Sequence, residues 1–336
     1  MKRLGSQTVK FATPPYILTT ASIVGKKEGE GPLAQYFDQI LDDEYWGEKS
    51  FEKAETKILR ETINLALSKS NKTAGDMHYI FAGDLLNQCI SSSSAIKDSN
   101  IPFFGLFGAC STMTESMSLG AMLVDGGFAD NLICATSSHF CSAERQFRLP
   151  LEQGGQRPPS AQWTVTGSGA AILSNSGSGP RITHVTTGKI VEMGIKDANN
   201  MGAAMAPAAV DTISAHFSDT GRNADYYDLI ITGDLGEVGM EIASEMLEEL
   251  GTSITDKYND CGVMIFDSDK QDTHSGGSGC GCCASVFSGY IYRELLEKRL
   301  NRVLLLATGA LMSPTSIQQG DAIGGIAHAI AIENLE

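Results

Sequence analysis

Cys110 stands in FGACSTMTES, residues 107–116, between the apolar run IPFFGLF and the stretch SLGAMLVDGG. That order reads as a strand, a tight turn and a helix, with the thiol at the helix start among Gly108, Ala109, Ser111 and Thr112. Unpaired amide N–H groups and the helix dipole at such a position favour thiolate over thiol, which predicts a depressed pKa and a candidate nucleophile. The plainer alternative is a small buried thiol filling space beside a helix start.

A second thiol-rich stretch, GGSGCGCCAS, carries Cys280, Cys282 and Cys283. A zinc site would need a further close Cys or His pair at ligand spacing. Cys261 and His274 are nearest in sequence and match no such pattern, so neither metal nor cofactor is assigned. The glycines of this turn suit a close approach of backbone N–H groups to a carboxylate or an oxyanion.

The elements that must position these groups come in two echoing sets. MHYIFAGDLLN (77–87) resembles YDLIITGDLGE (227–237), and ADNLICATSS (129–138) resembles LNRVLLLATGA (300–310). GSGAAILSN (167–175) finds a weaker partner in GGIAHAIAIEN (324–334). The same order in both halves predicts a duplicated α/β unit. Helical patterns fall at 51–70, 110–125, 236–250 and 283–298. Strands alternating with helices predict mostly parallel sheets covered on both faces. The Gly/Ser-rich SNSGSGP (174–180) is the seam, giving units 1–175 and 176–336. Packing the halves together would bring both sets of strand ends around one cleft. Gly83-Asp84 and Gly233-Asp234 form a matched pair in which each Asp is expected to cap the helix that follows.

Composition bounds the rest. The chain has 336 residues, enough for one large domain or two ordinary ones with a substantial core. A formal net charge of −15 opposes binding to nucleic acid or to anionic lipid, so an anionic ligand must meet a local cluster of donors. The start, MKRLGSQTVKFATPPY, has no signal-peptide core, and no apolar run reaches bilayer-spanning length. A cytosol-like compartment is therefore expected, with the eight cysteines as reduced thiols.

The stretches AGDLLNQ, LFGACST, ATSSH with AERQFR, VTGSGA, MGAAMAPAA, NDCGVMI and GGSGCGC jointly resemble the thiolase superfamily of thiolases and ketoacyl synthases. Within it they are most similar to the stage V sporulation protein AD family of spore-forming bacteria. The resemblance implies an α/β, thiolase-like fold: two duplicated halves with mixed five-stranded sheets in α-β-α-β-α layers, paired as a homodimer. It also implies binding of dipicolinic acid (pyridine-2,6-dicarboxylic acid), free or as its Ca²⁺ chelate, for uptake into the developing spore. The partners implied are other stage V membrane proteins, with the chain peripheral to the cytoplasmic face of the forespore inner membrane.

Enzymes of this fold use a Cys, a His and a second His or Asn. Cys110 matches the nucleophile's motif. IITGDLGE, however, puts Gly233 and Asp234 where the imidazole should stand, and GGSGCGCCAS puts Cys280 where Asn should stand. The last loop, SIQQGDAIGGIAH, lacks the second reactive Cys of degradative thiolases. The expectation is a non-catalytic binding protein. The rival is an acyltransferase or condensing enzyme using Cys110, with His139 or His274 supplying the imidazole.

Ligand candidates under this resemblance are Cys110, Ser111, Ser138, His139, Arg145, Arg148, Asp234 and Cys280. Arginine's rigid fork matches a carboxylate, and a diacid needs two such partners. The ordinary alternatives are ion pairs with Glu144 or another acid for the arginines, turn caps for the serines, and a solvent-facing loop for His139. His328, inside GIAHAIAI, reads as a core histidine.

Overall fold

The structure, a computed structural model, describes residues 2–147 and 156–335. The first half lays down β1 (Tyr16–Val24), α1 (Phe51–Ser70), β2 (Tyr79–Gly83), α2 (Ile90–Ile96) and β3 (Phe103–Gly105). It continues through α3 (Thr112–Asp125), β4 (Asn131–Ser138), α4 (Phe140–Phe147) and β5 (Gly167–Ser174). The second half follows the same plan, with β6 (Arg181–Thr186), α5 (Met201–Thr220), β7 (Leu229–Thr232), α6 (Gly236–Glu249) and β8 (Tyr258–Asp260). Next come α7 (Cys261–Ile265), α8 (Cys280–Val286), α9 (Tyr292–Leu296), β9 (Arg302–Leu311) and β10 (Gly324–Glu333).

Strand order shows the duplication directly. The first sheet runs β3-β2-β4-β5-β1 and the second β8-β7-β9-β10-β6. In each, three strands are parallel, while β5 or β10 lies antiparallel between its neighbours. The sheets touch edge to edge where Arg181 pairs with Tyr16, and Thr8–Lys10 adds a short antiparallel strand to β6. α1 and α2 cover the outer face of the first sheet, α5 and α6 that of the second, and α3 and α8 lie between the sheets. These are the expected α-β-α-β-α layers.

Sheets covered on both faces need strands without polar alternation. β4 is buried along nearly its whole length and β5 along all of it. β5 is built from small residues because α8 lies directly on it: a Cβ at Gly169 would sit 2.2 Å from the Ala284 carbonyl oxygen. α1 shows the expected amphipathic logic, burying Ala54, Ile58, Leu59, Ile63 and Ala66. The Ser50 side chain caps its start by accepting from Lys53 N, and Asn71 ends it in the left-handed region.

Two helix starts differ from the sequence reading. α3 begins at Thr112, not 110, because Ala109 takes φ 50° and bends the chain before the helix can propagate. α8 begins at Cys280, not 283, because Gly279 at φ 101° turns the chain out of the extended pair Gly277–Ser278. A π-turn over Phe287–Ile291 then joins α8 to α9.

Candidate functional site

The turn before α3 is held from within. Ser111 Oγ donates to the Gly108 carbonyl at 2.7 Å, and Thr112 Oγ1 donates to the Ala109 carbonyl at 2.7 Å. β9 of the other half backs this turn so closely that a Cβ on Gly309 would lie 2.4 Å from the Gly108 oxygen. Cys110 is thereby aimed across the junction of the two halves.

Asp234 meets it there. The loop after β7 places this side chain, 1 % exposed, so that its carboxylate faces the Cys110 thiol. It accepts from Thr308 Oγ1 at 2.7 Å, Gly279 N at 3.0 Å and Ser278 Oγ at 3.2 Å. Gln162 Nε2 fixes the loop by donating to the Asp234 carbonyl at 2.6 Å. Burial pushes the Asp234 carboxyl up to about 6, with the nearby Asp260 charge acting in the same sense and the hydrogen bonds opposing both. Burial also pushes the Cys110 thiol well above its ordinary value, and the Asp234 charge adds to that. The thiolate expected from the helix start is therefore suppressed: desolvation and a facing carboxylate outweigh the helix-end field.

Beside this pair opens a narrow cleft, whose 470 Å³ of non-atom space includes open solvent. Leu85, Phe107, Ala143, Phe147, Met201 and Met312 give apolar walls. Cys110, Glu144, Thr164 and Ser278 supply the polar groups. Among the described residues no lysine, arginine or histidine lines it.

The profile of the stage V sporulation protein AD family matches residues 5–333. The chain belongs to that family. It is 46% identical over 333 residues to stage V sporulation protein AD of Bacillus subtilis (strain 168), covering 99% of this chain and 98% of the relative. Solved structures share its fold. The 3-oxoacyl-[acyl-carrier-protein] synthase III of Aquifex aeolicus VF5 aligns with TM-score 0.56 at 11% identity, covering 95% of this chain and 99% of that one. The Acat5 thiolase of Ascaris suum, solved with coenzyme A, aligns at 0.57 and 11% over 96% and 100% of the two chains. An OleA variant of Xanthomonas campestris aligns at 0.57 and 12% over 99% and 100%.

In this member of the sporulation family the remaining candidates divide by place. Cys280 lies next to Cys110 in an apolar cluster with Leu85 and Ala143, its thiol donating to the Ser137 carbonyl at 2.9 Å. Ser138 Oγ donates to the Val165 carbonyl at 2.7 Å and accepts from Gly281 N at 3.1 Å, tying the α8 turn to β4. His139 is buried; its Nε2 donates to the Glu44 carbonyl at 2.8 Å and its Nδ1 accepts from Cys141 N at 3.2 Å. It is neither in a solvent-facing loop nor among the cleft walls. Burial holds its pKa below the ordinary value.

Arg145 points away from Cys110 into a neighbouring surface cleft, pairing with Glu52 at 3.2 Å above the Phe51 ring. Arg148 lies outside the described residues. His274 sits at φ 51° beside Asp272, 3.3 Å away, and does not line the cleft.

The two Gly-Asp pairs do not behave alike. Asp84 caps as expected, accepting from Leu86 N at 2.9 Å and from Ser92 N at 2.7 Å at the α2 start. Asp234 turns inward, and Asp260 takes over the α6 start by accepting from Leu235 N at 2.8 Å and Gly236 N at 3.0 Å. Thr308, Gln162, Ser278 and Thr164 are site residues the sequence reading did not single out. Thr308 carries a usable signal, since the Ala-Thr of LATGA echoes the Ala-Thr of CATSS.

Proposed function

We propose that this chain is a non-catalytic, thiolase-fold binding protein that captures dipicolinic acid in the Cys110 cleft for uptake into the developing spore. The observation that carries the non-catalytic part is the Cys110–Asp234 contact. A nucleophilic thiol needs a base to take its proton, or a cation to hold the thiolate. Cys110 instead faces a buried carboxylate, which raises its pKa. The family's sporulation role supports the biological setting, and the resemblance supports the ligand. The cleft's apolar walls suit a flat aromatic ring, with the Thr164 hydroxyl as a hydrogen-bond donor to a carboxylate. Delivery would involve stage V membrane proteins as partners, since no helix among the described residues is long and apolar enough to cross a membrane.

The test is a calorimetric titration with dipicolinate, with and without Ca²⁺. Saturable one-site binding, lost when the cleft is filled, supports the carrier. A flat titration in both buffers together with a Cys110 mass adduct from an acyl thioester would instead establish the acyltransferase reading.

A further inference from the structure

The cleft's floor bears on which charge state of a ligand can enter, and this point rests on the dicarboxylate reading above. Behind Cys110 and Ser278, which line the cleft, lies the Asp234 carboxyl. The groups facing it from the packed elements are Cys110 at the α3 start, Cys280 and Cys282 on α8, and Asp260 at the end of β8. Its hydrogen-bond partners Thr308, Ser278 and Gly279 are all neutral. The titratable groups around it are thus thiols and another acid. A second anion arriving on the other side of Cys110 and Ser278 would add like charge in a poorly solvated place.

We propose that Asp234 makes the cleft a proton-coupled anion site, in which binding of a carboxylate ligand is accompanied by uptake of one proton on the Asp234 carboxyl. Cys110 is the coupling element. With Asp234 ionised, the thiol hydrogen turns toward the carboxylate it faces. With Asp234 protonated, the carboxyl O–H donates to the Cys110 sulfur, and the S–H turns to the ligand carboxylate. One proton comes from solvent, no bond to carbon or sulfur changes, and the Asp234 charge behind the cleft wall disappears. Asp234 is poised for this because burial already holds it near 6, so protonation requires little further shift.

Calorimetry of the full chain with dipicolinate, in buffers of low and high ionisation enthalpy, tests the proposal. The ligand's carboxyls, at ordinary carboxyl values, stay ionised across the range used. At about pH 7 the expected uptake is roughly 0.4–0.9 proton per ligand, and Kd should weaken roughly four- to fifteenfold between about pH 6 and pH 7.5. Asp234→Asn, which keeps the shape and removes the titration, should flatten that profile. Saturable binding with no buffer-dependent heat and a pH-independent Kd overturns the coupling while leaving the carrier reading intact. An unchanged pH profile in Asp234→Asn overturns the assignment to Asp234. No binding at any pH sinks the carrier reading and this proposal with it. The proton count on the unmodified protein decides the matter even where the variant fails to fold.

Discussion

The buried Cys110 thiol faces the buried Asp234 carboxylate across the junction of two duplicated halves, and the Asp234 charge holds the thiol pKa up. Each residue occupies a position that its own half would use differently. Cys110 stands at a helix start that should ionise it, and Asp234 follows a strand whose counterpart, Asp84, caps a helix. Burial and the facing carboxylate keep the thiol protonated, and burial raises the carboxyl to about 6.

Removing the carboxylate should wake the thiol. In Asp234→Asn the second cause of the raised Cys110 pKa disappears while burial remains. Alkylation of Cys110 by iodoacetamide at pH 8, followed by mass spectrometry, should accelerate about fivefold or more as the thiolate fraction rises. An unchanged rate would mean that Asp234 has no electrostatic hold on the thiol.

Filling the cleft should block it without unfolding the chain. Ala143 contributes to the wall beside Phe147 and Leu85. Ala143→Phe places a ring in the space proposed for the ligand and should weaken dipicolinate binding by at least about tenfold, with the thermal midpoint changed by only a few degrees. Tight binding in this variant would move the ligand elsewhere.

The layer contact between β5 and α8 tolerates no side chain. Gly169→Ala would drive a methyl into the Ala284 carbonyl, 2.2 Å from its oxygen, where the obstructing atoms are backbone. A loss of about 1–3 kcal/mol is expected in urea unfolding. A neutral result would show that α8 can lift off the sheet.

Stability should fall as pH rises through neutrality, on account of Glu28. This side chain is fully buried, with one oxygen accepting from Thr166 N at 3.0 Å and the other unpaired. Burial raises its pKa to about 8. A folded-state pKa above the unfolded one gives stability that is complete below about pH 4.3 and is lost as pH rises toward 8. Glu55, pushed up to about 8 by burial and then by the Asp84 charge, acts in the same direction. Thermal scans between pH 6 and pH 9 should show a decline that Glu28→Gln reduces, gaining about 2 °C or more at the alkaline end. Equal slopes in both proteins would show that Glu28 is ionised in the fold.

Much of the architecture was legible because local pattern and global fold agree here. The Gly-Asp-Leu and Ala-Thr echoes fall on β2 and β7 and on β4 and β9, the paired strands at equivalent places in the two sheets. α1 was readable residue for residue, with a polar face and caps at both ends. Its counterpart α5 was not read as a helix. MGAAMAPAAVDTISAHFSDT is small and apolar around most of its circumference and carries Pro207, so no polar stripe marks its period. Only its burial between β10 and α6 shows why it needs none.

The sequence by itself determined that two echoing α/β sets exist and that Cys110 stands in the turn before a helix. Those facts live in short stretches, where composition and spacing carry the physics. The tertiary structure decided what faces what. His139, Arg145 and Asp234 looked equally available in one dimension. Packing spent His139 on a loop carbonyl, turned Arg145 to Glu52 and brought Asp234 to the thiol. Charge and burial act through space, so a residue's pKa and partners depend on neighbours more than one hundred positions away.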